Sequence, residues 1–177
     1  MNKKLLFACL IISGTSFGQQ QVGNGDMENW DNVGSSTEEP TNWSSFKSAS
    51  GGMAWAGSQQ VSRSTSVRAG ATGTYCARIW SNSVLGIVAN GNLTLGRVNM
   101  GNSTATDASN YNYSQTSDAN FSESLTNTPD SLVFWVKYTA SASQEARVSA
   151  VLHDDYDYKD GYNIDAASEP HKVAEIS

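Results

Sequence analysis

The chain has 177 residues, a formal charge of −6 and only 16% charged residues, with no cluster of Lys or Arg, so nucleic acid and anionic lipid make poor partners. Ser, Thr, Asn and Gly are abundant; the first three compete with helical hydrogen bonds and Gly costs about 1 kcal/mol in a helix relative to Ala. No fifteen-residue window carries a 3.6-residue apolar period, which argues against a helical fold.

Residues 1–18 read as an export signal. Lys3 and Lys4 form a basic start, Leu5 to Ile12 an apolar run, and Ser16-Phe17-Gly18 a small-residue cleavage site before Gln19. A retained anchor needs about twenty apolar residues, and Ser13, Gly14 and Thr15 break the run early. The expected organisation is a signal peptide over 1–18, then one domain over 19–177, secreted and without a transmembrane anchor. Loss of Lys3 and Lys4 moves the charge from −6 to −8. Loss of Cys9 leaves Cys76 as the single thiol, so no intramolecular disulfide forms. At the head of the strand-like run to Trp80, Cys76 reads as a small buried side chain.

Asp26 and Glu28 come next. On an extended strand their side chains point the same way, and such a pair can hold a structural Ca²⁺ with backbone carbonyls. An edge strand made soluble by charge explains them equally well. Trp55 follows in a loop of small residues, Ser50 to Ser58, with little apolar company.

Five strands are expected, separated by turn formers at intervals that suit a sandwich or barrel. Ser58 to Val67 is polar. Thr74 to Trp80 places Tyr75, Ala77 and Ile79 on one face and Cys76, Arg78 and Trp80 on the other. In Gly91 to Met100 the apolar phase shifts at Gly96, which predicts a β-bulge. Gly101 to Asn127 is a long polar segment whose Tyr111, Tyr113 and Phe121 predict an ordered loop, with a short strand around Phe121. Ser131 to Thr139 is apolar on both faces over Leu132 to Tyr138, as expected of a central strand covered on each side. A polar link, Ala140 to Gln144, leads to Ala146 to His153, with Val148, Ala150 and Leu152 inward, and the two are expected to form a hairpin. Lys172 to Ser177 alternates like a strand just starting, which predicts that the natural domain continues past Ser177.

Catalytic constellations are sparse. His153 and His171 sit in no metal or nucleophile motif, so nucleophilic and zinc chemistry find no support in the linear sequence. Asp154, Asp155 and Asp157 are the nearest approach to the paired carboxylates of glycoside hydrolysis, against the reading of a solvated tip. Residues 153–161 gather oxygen ligands without the spacing of a calcium loop. The five tryptophans carry more content. Indole faces stack on the C–H faces of sugars while polar neighbours bond the hydroxyls, which makes Trp55 and Trp80, with Arg78 and Asn82, the candidate ligand-binding residues. Trp30, Trp43 and Trp135 read as core.

Gly25-Asp26-Met27-Glu28-Asn29-Trp30, Pro40-Thr41-Asn42-Trp43, Tyr75-Cys76-Ala77-Arg78-Ile79, Ala89-Asn90-Gly91-Asn92-Leu93 and Pro129 to Tyr138 occur in an order that resembles the carbohydrate metabolism domain of secreted Bacteroidetes proteins. The resemblance spans residues 23 to 158. It implies an all-β fold, an antiparallel β-sandwich of jelly-roll, galactose-binding-like type, incomplete at its C-terminus, together with export from a Gram-negative bacterium, sugar contact and, in many relatives, a C-terminal sorting domain. Ala89-Asn90-Gly91-Asn92 stands where the pattern has Ala-Gly-Asn. By analogy Asp26 and Glu28 bind calcium; no catalytic residues are implied. The expectation is a secreted, non-catalytic carbohydrate-binding module. The alternatives are a glycoside-hydrolase-like enzyme using acids near Asp154 to Asp160, and a cell-surface adhesion or structural module without a small ligand.

Overall fold

The computed structural model of the chain describes residues 22–84, 86–129, 131–139 and 145–176. Among them are eleven short strands, two single-turn 3-10 segments and no α-helix, so the chain is all-β. The strands are β1 (Trp30–Asp31), β2 (Glu39–Pro40), β3 (Val61–Ser64), β4 (Cys76–Ile79), β5 (Asn82–Val84), β6 (Ile87–Ala89), β7 (Arg97–Met100), β8 (Asn110–Tyr113), β9 (Ala150–His153), β10 (Lys159–Gly161) and β11 (Lys172–Ile176). All pairings between them are antiparallel: β1 with β2, β3 with β4, β5 with β6, β9 with β11, and the three-stranded order β10-β8-β7.

Asparagine shapes the opening. Asn24, Asn32 and Asn42 adopt left-handed backbone, with φ of 48, 50 and 67°; a short polar side chain that bonds locally makes this conformation affordable to Asn. Asn24 demonstrates it: its amide donates to the Asn29 and Thr41 carbonyls at 2.8 and 2.9 Å and its oxygen accepts the Asn29 N–H at 3.0 Å. Trp30 and Trp43 are half-buried, and their indole N–H groups donate to Met27 O at 2.6 Å and Gly23 O at 3.0 Å.

The interior behind this opening is largely polar. Among the described residues Pro40, Val61, Val98 and Tyr158 are the buried apolar side chains, whereas Glu38, Ser44, Ser45, Gln60 and Ser168 are buried polar ones. Each is bonded, as burial of a polar group requires. The Glu38 carboxylate accepts the Gly34 and Arg63 amides at 2.8 and 3.0 Å. Glu39 accepts Ser45 N–H at 2.7 Å, the Ser45 hydroxyl and the Ser48 hydroxyl. Gln60 reaches the Trp80 and Ala89 carbonyls at 3.1 and 2.7 Å, tying β3 to the β5–β6 hairpin.

Several expected elements are present in shortened form. Ser58 to Val67 and Thr74 to Trp80 contain β3 and β4, paired Val61 to Ile79 through Ser64 to Cys76. The polar segment after Met100 contains β8, with Tyr111 and Tyr113 on it, while Phe121 lies in a turn closed by Gln115 N–H to Phe121 O at 3.0 Å. The phase shift at Gly96 is a break rather than a bulge: Thr94 bridges Ser44 and β7 starts afresh at Arg97. The strand start near the end of the sequence is β11.

The expectation for 131–139 is corrected. No strand covers these residues and all are exposed, Leu132 at 42%, Phe134 at 51% and Trp135 at 74%. Trp135 therefore lies outside the core, capped by the Arg68 guanidinium 4.4 Å from its ring centroid. The physical reason lies in the neighbouring strand. β9, the expected hairpin partner, pairs with β11 from Lys172–His153 to Ile176–Ala150, and only residues 150–153 of the predicted 146–153 are strand, leaving Val148 45% exposed. The expected link over 140–144 and the signal over 1–18 lie outside the described residues. No helix among the described residues is long and apolar enough to cross a membrane.

Candidate functional site

Of the ligand-binding residues expected from sequence, Arg78 lies on β4, Trp80 directly after it and Asn82 at the start of β5, while Trp55 stands on a separate turn. Strand pairing carries Gln60 alongside Trp80, whose N–H donates to Gln60 O at 3.1 Å, and two residues further out Asn82 donates to the Ser58 hydroxyl at 3.2 Å. Trp55 stands three residues before Ser58, on the 3-10 turn Ala54–Ala56. That turn is fixed by Met53 N–H to Met100 O at 2.8 Å, Gly57 N–H to Ala54 O at 3.0 Å and the Lys47 ammonium on Gly57 O at 3.0 Å. The result is an indole 73% exposed on a braced loop. Trp80 differs: it is half-buried, and the exposed Arg78 side chain lies over its ring at 5.2 Å. Trp55 is thus an open aromatic platform and Trp80 part of a cation–π pair that presents a guanidinium.

Asp26 and Glu28 are arranged differently from the extended pair expected. Residues 23–26 form a turn, and Met27 between the two acids has φ 59°, so strand alternation does not apply. One Glu28 oxygen accepts the Thr74 and Tyr75 amides at 2.7 and 2.8 Å, fastening the turn that feeds β4. Gly73 is part of that clasp, since a Cβ there would collide with the Glu28 carboxylate. Asp26 is exposed, with a long 3.5 Å contact from the Glu28 amide. Among the described residues no three His, Cys, Asp or Glu side chains converge as a metal cage.

The acids of the 153–161 tip take separate partners. Asp154 accepts the His171 ring at 2.8 and 3.0 Å, and Asp157 accepts both the amide and hydroxyl of Thr116 at 2.8 Å. Asp160 lines a concavity, a cleft of about 240 Å³ that Arg147, Tyr158, Tyr162, Glu169, Lys172 and Glu175 also line. Burial pushes the Asp160 carboxyl above its ordinary range; Arg147 opposes the shift and Glu175 adds to it. Lys172 bridges Glu169 at 2.5 Å and Glu175 at 3.0 Å, and those two bonds hold its ammonium well above the usual lysine value. The cleft as a whole is not legible in the linear sequence because its walls come from Arg147 ahead of β9, from β10 and the turn after it, and from Glu169 and β11, up to 28 residues apart. The hint in the sequence was Asp160 itself, at the end of the acidic run Asp154 to Asp160.

No family model, no curated protein and no solved structure matches the chain.

Proposed function

We propose that this chain is an exported carbohydrate-binding module, non-catalytic toward the glycan it binds, that stacks a sugar ring on Trp55 and bonds its hydroxyls through Arg78, Asn82 and the rim beside Trp80. The finer architecture, a jelly-roll sandwich, and the kinship suggested by the ordered motifs belong to the same proposal. The single observation that carries it is the Trp55 indole, 73% exposed on a braced loop while Trp30 and Trp43 are tucked against the opening turn. A rigid exposed aromatic amid hydroxyl and amide groups is what sugar C–H faces require, and the same exposure disfavours a purely structural module. Calorimetry and a glycan array test the reading. The expected result is binding that Trp55→Ala weakens at least tenfold with its circular dichroism unchanged; no binding to any polysaccharide at millimolar concentration overturns it. A structural Ca²⁺ at Asp26 and Glu28 is proposed alongside, to be checked as a rise in Tm on adding Ca²⁺ that Asp26→Asn lacks.

One observation favours the glycan-processing alternative: Asp160, its carboxyl raised by burial, shares a cleft with Glu169 and Glu175. A carboxyl raised above its ordinary range by burial, facing other carboxyl groups across one cleft, is the kind of arrangement that acid-assisted glycoside cleavage uses. Release of reducing ends from a polysaccharide, abolished in Asp160→Asn, would move the assignment to this cleft; its absence leaves binding at Trp55 as the function.

A further inference from the structure

Ser114 and His153 are 39 residues apart in sequence, yet the Ser114 hydroxyl lies 2.6 Å from His153 Nε2. Ser114 follows β8 directly, and its amide donates to Tyr158 O at 2.9 Å, while His153 closes β9. The other ring nitrogen settles the proton. His153 Nδ1 is 2.7 Å from the Asp154 main-chain carbonyl, and a carbonyl can only accept, so Nδ1 carries the hydrogen. In the neutral imidazole Nε2 is then the acceptor and the serine O–H points at it. The orienting carbonyl is itself fixed, because the Asp154 amide donates to His171 O at 3.0 Å and the Asp154 carboxylate takes the His171 ring at 2.8 Å. The Tyr156 ring stacks on His171 at 3.8 Å, and Tyr158 stacks on His153 at 5.4 Å. Nucleophile, base and orienter are therefore in hydrogen-bond succession, the arrangement that activates a serine. Both Ser114 and His153 are half-buried rather than enclosed.

We infer that Ser114 is an activated nucleophile that takes the acyl group of small carboxylic esters, with His153 as its general base. The Ser114 oxygen adds to the ester carbonyl carbon as its proton passes to His153 Nε2. The tetrahedral adduct breaks its carbon–oxygen bond to the alkoxide, which receives that proton and departs as the alcohol. Water then adds to the acyl-serine, gives its proton to Nε2, and the serine leaves with that proton as the carboxylic acid is released. The structure also bounds the rate. The amides of Ser114, Gln115 and Thr116 are already bonded to Tyr158 O, Phe121 O and Asp157, so this segment offers no main-chain donor to an oxyanion, a deficit of about 10²–10³-fold per donor. Reaction is therefore restricted to esters with good leaving groups, and deacylation is slow. This inference does not depend on sugar binding at Trp55.

The full secreted chain is treated with p-nitrophenyl acetate, and peptide mass spectrometry follows the acetyl group. The expected result is a stoichiometric burst of p-nitrophenolate with acetyl on Ser114. Ser114→Ala abolishes the burst, His153→Gln slows it about 10²-fold or more, the share a general base supplies, and Ser117→Ala leaves it unchanged. Ser114 of the urea-unfolded wild-type chain stays unlabelled, which separates activation by the fold from intrinsic reactivity should His153→Gln fail to fold. No acetyl on native Ser114, equal labelling of the unfolded chain, or a folded His153→Gln that reacts at the wild-type rate overturns the proposal.

Discussion

Residues 34–64 and 131–139 hold opposite contents in opposite places. In the first, charged and hydroxyl side chains are buried: Glu38 is 7% exposed and Ser44, Ser45 and Gln60 1% each, all with partners. In the second, six large apolar side chains lie between 42 and 74% exposed. Hydropathy alone therefore does not decide position in this chain. A carboxylate that collects two or three amides is stable inside, because its desolvation is offset by charge-assisted hydrogen bonds. An apolar strand is stable inside only where other strands complete its ladder and cover its two faces, and β9 gives its ladder to β11 instead. The lesson extends to the sites: Trp55 is open because its loop is tied by backbone bonds and needs no apolar burial to hold its shape.

The contrast can be broken most sharply at Glu38. Glu38→Ala orphans the Gly34 and Arg63 amides and removes the ion pair with the Arg63 side chain at 3.9 Å, so urea unfolding should show a loss of about 3 kcal/mol. A loss below about 1 kcal/mol would mean the polar interior is not what holds this half together. Glu28→Ala, which frees the amides of Thr74 and Tyr75 at a more exposed site, is expected to cost about 1–2 kcal/mol by the same assay. For Trp135→Ser the expectation is less than about 1 kcal/mol, the value of an exposed cation–π contact; a core aromatic would cost about 3–5 kcal/mol.

The smallest effects are those of pH. Asp160 holds its proton more tightly in the folded chain, so its contribution lowers stability as pH rises from the ordinary carboxylate value through the raised one. Asp160→Asn should therefore raise Tm at neutral pH and do nothing in acid below the ordinary value. Asp107 has the opposite sign: hydrogen bonds from the Ser109 hydroxyl and amide lower its proton affinity. Its stabilisation is present above the ordinary value and fades as pH falls through the lowered one, so Asp107→Asn should lower Tm at neutral pH. Parallel Tm–pH profiles for the two variants would contradict both assignments.

Much of the strand pattern was legible. Alternation marked β4 and β11, a polar run between turn formers marked β3, and the composition argued against helix, in line with the lack of α-helix among the described residues. What the linear sequence could not carry was pairing. The two-faced apolar run Leu132 to Tyr138 looks the same whether or not partners exist, and Gly96 looks like a bulge until Thr94 is seen bridging Ser44. Among site residues, Trp55 was visible as an aromatic without apolar neighbours, and Arg78 with Trp80 by adjacency. The Glu28 clasp on the Thr74 and Tyr75 amides was not legible, because nothing local announces partners 46 and 47 residues away. The Ser114–His153 pair was invisible for the same reason, since no motif connects residues joined only through β8, β9 and the 154–158 turn.

Amide hydrogen exchange measured residue by residue tests the central contrast most directly. Amides of 132–137, outside every described ladder, should exchange within the fastest class, while those of Val61 to Ser64 and Arg97 to Met100 are protected by their pairing. Protection of 132–137 equal to that of β3 and β7 would contradict the account, because it would place the apolar run inside a sheet.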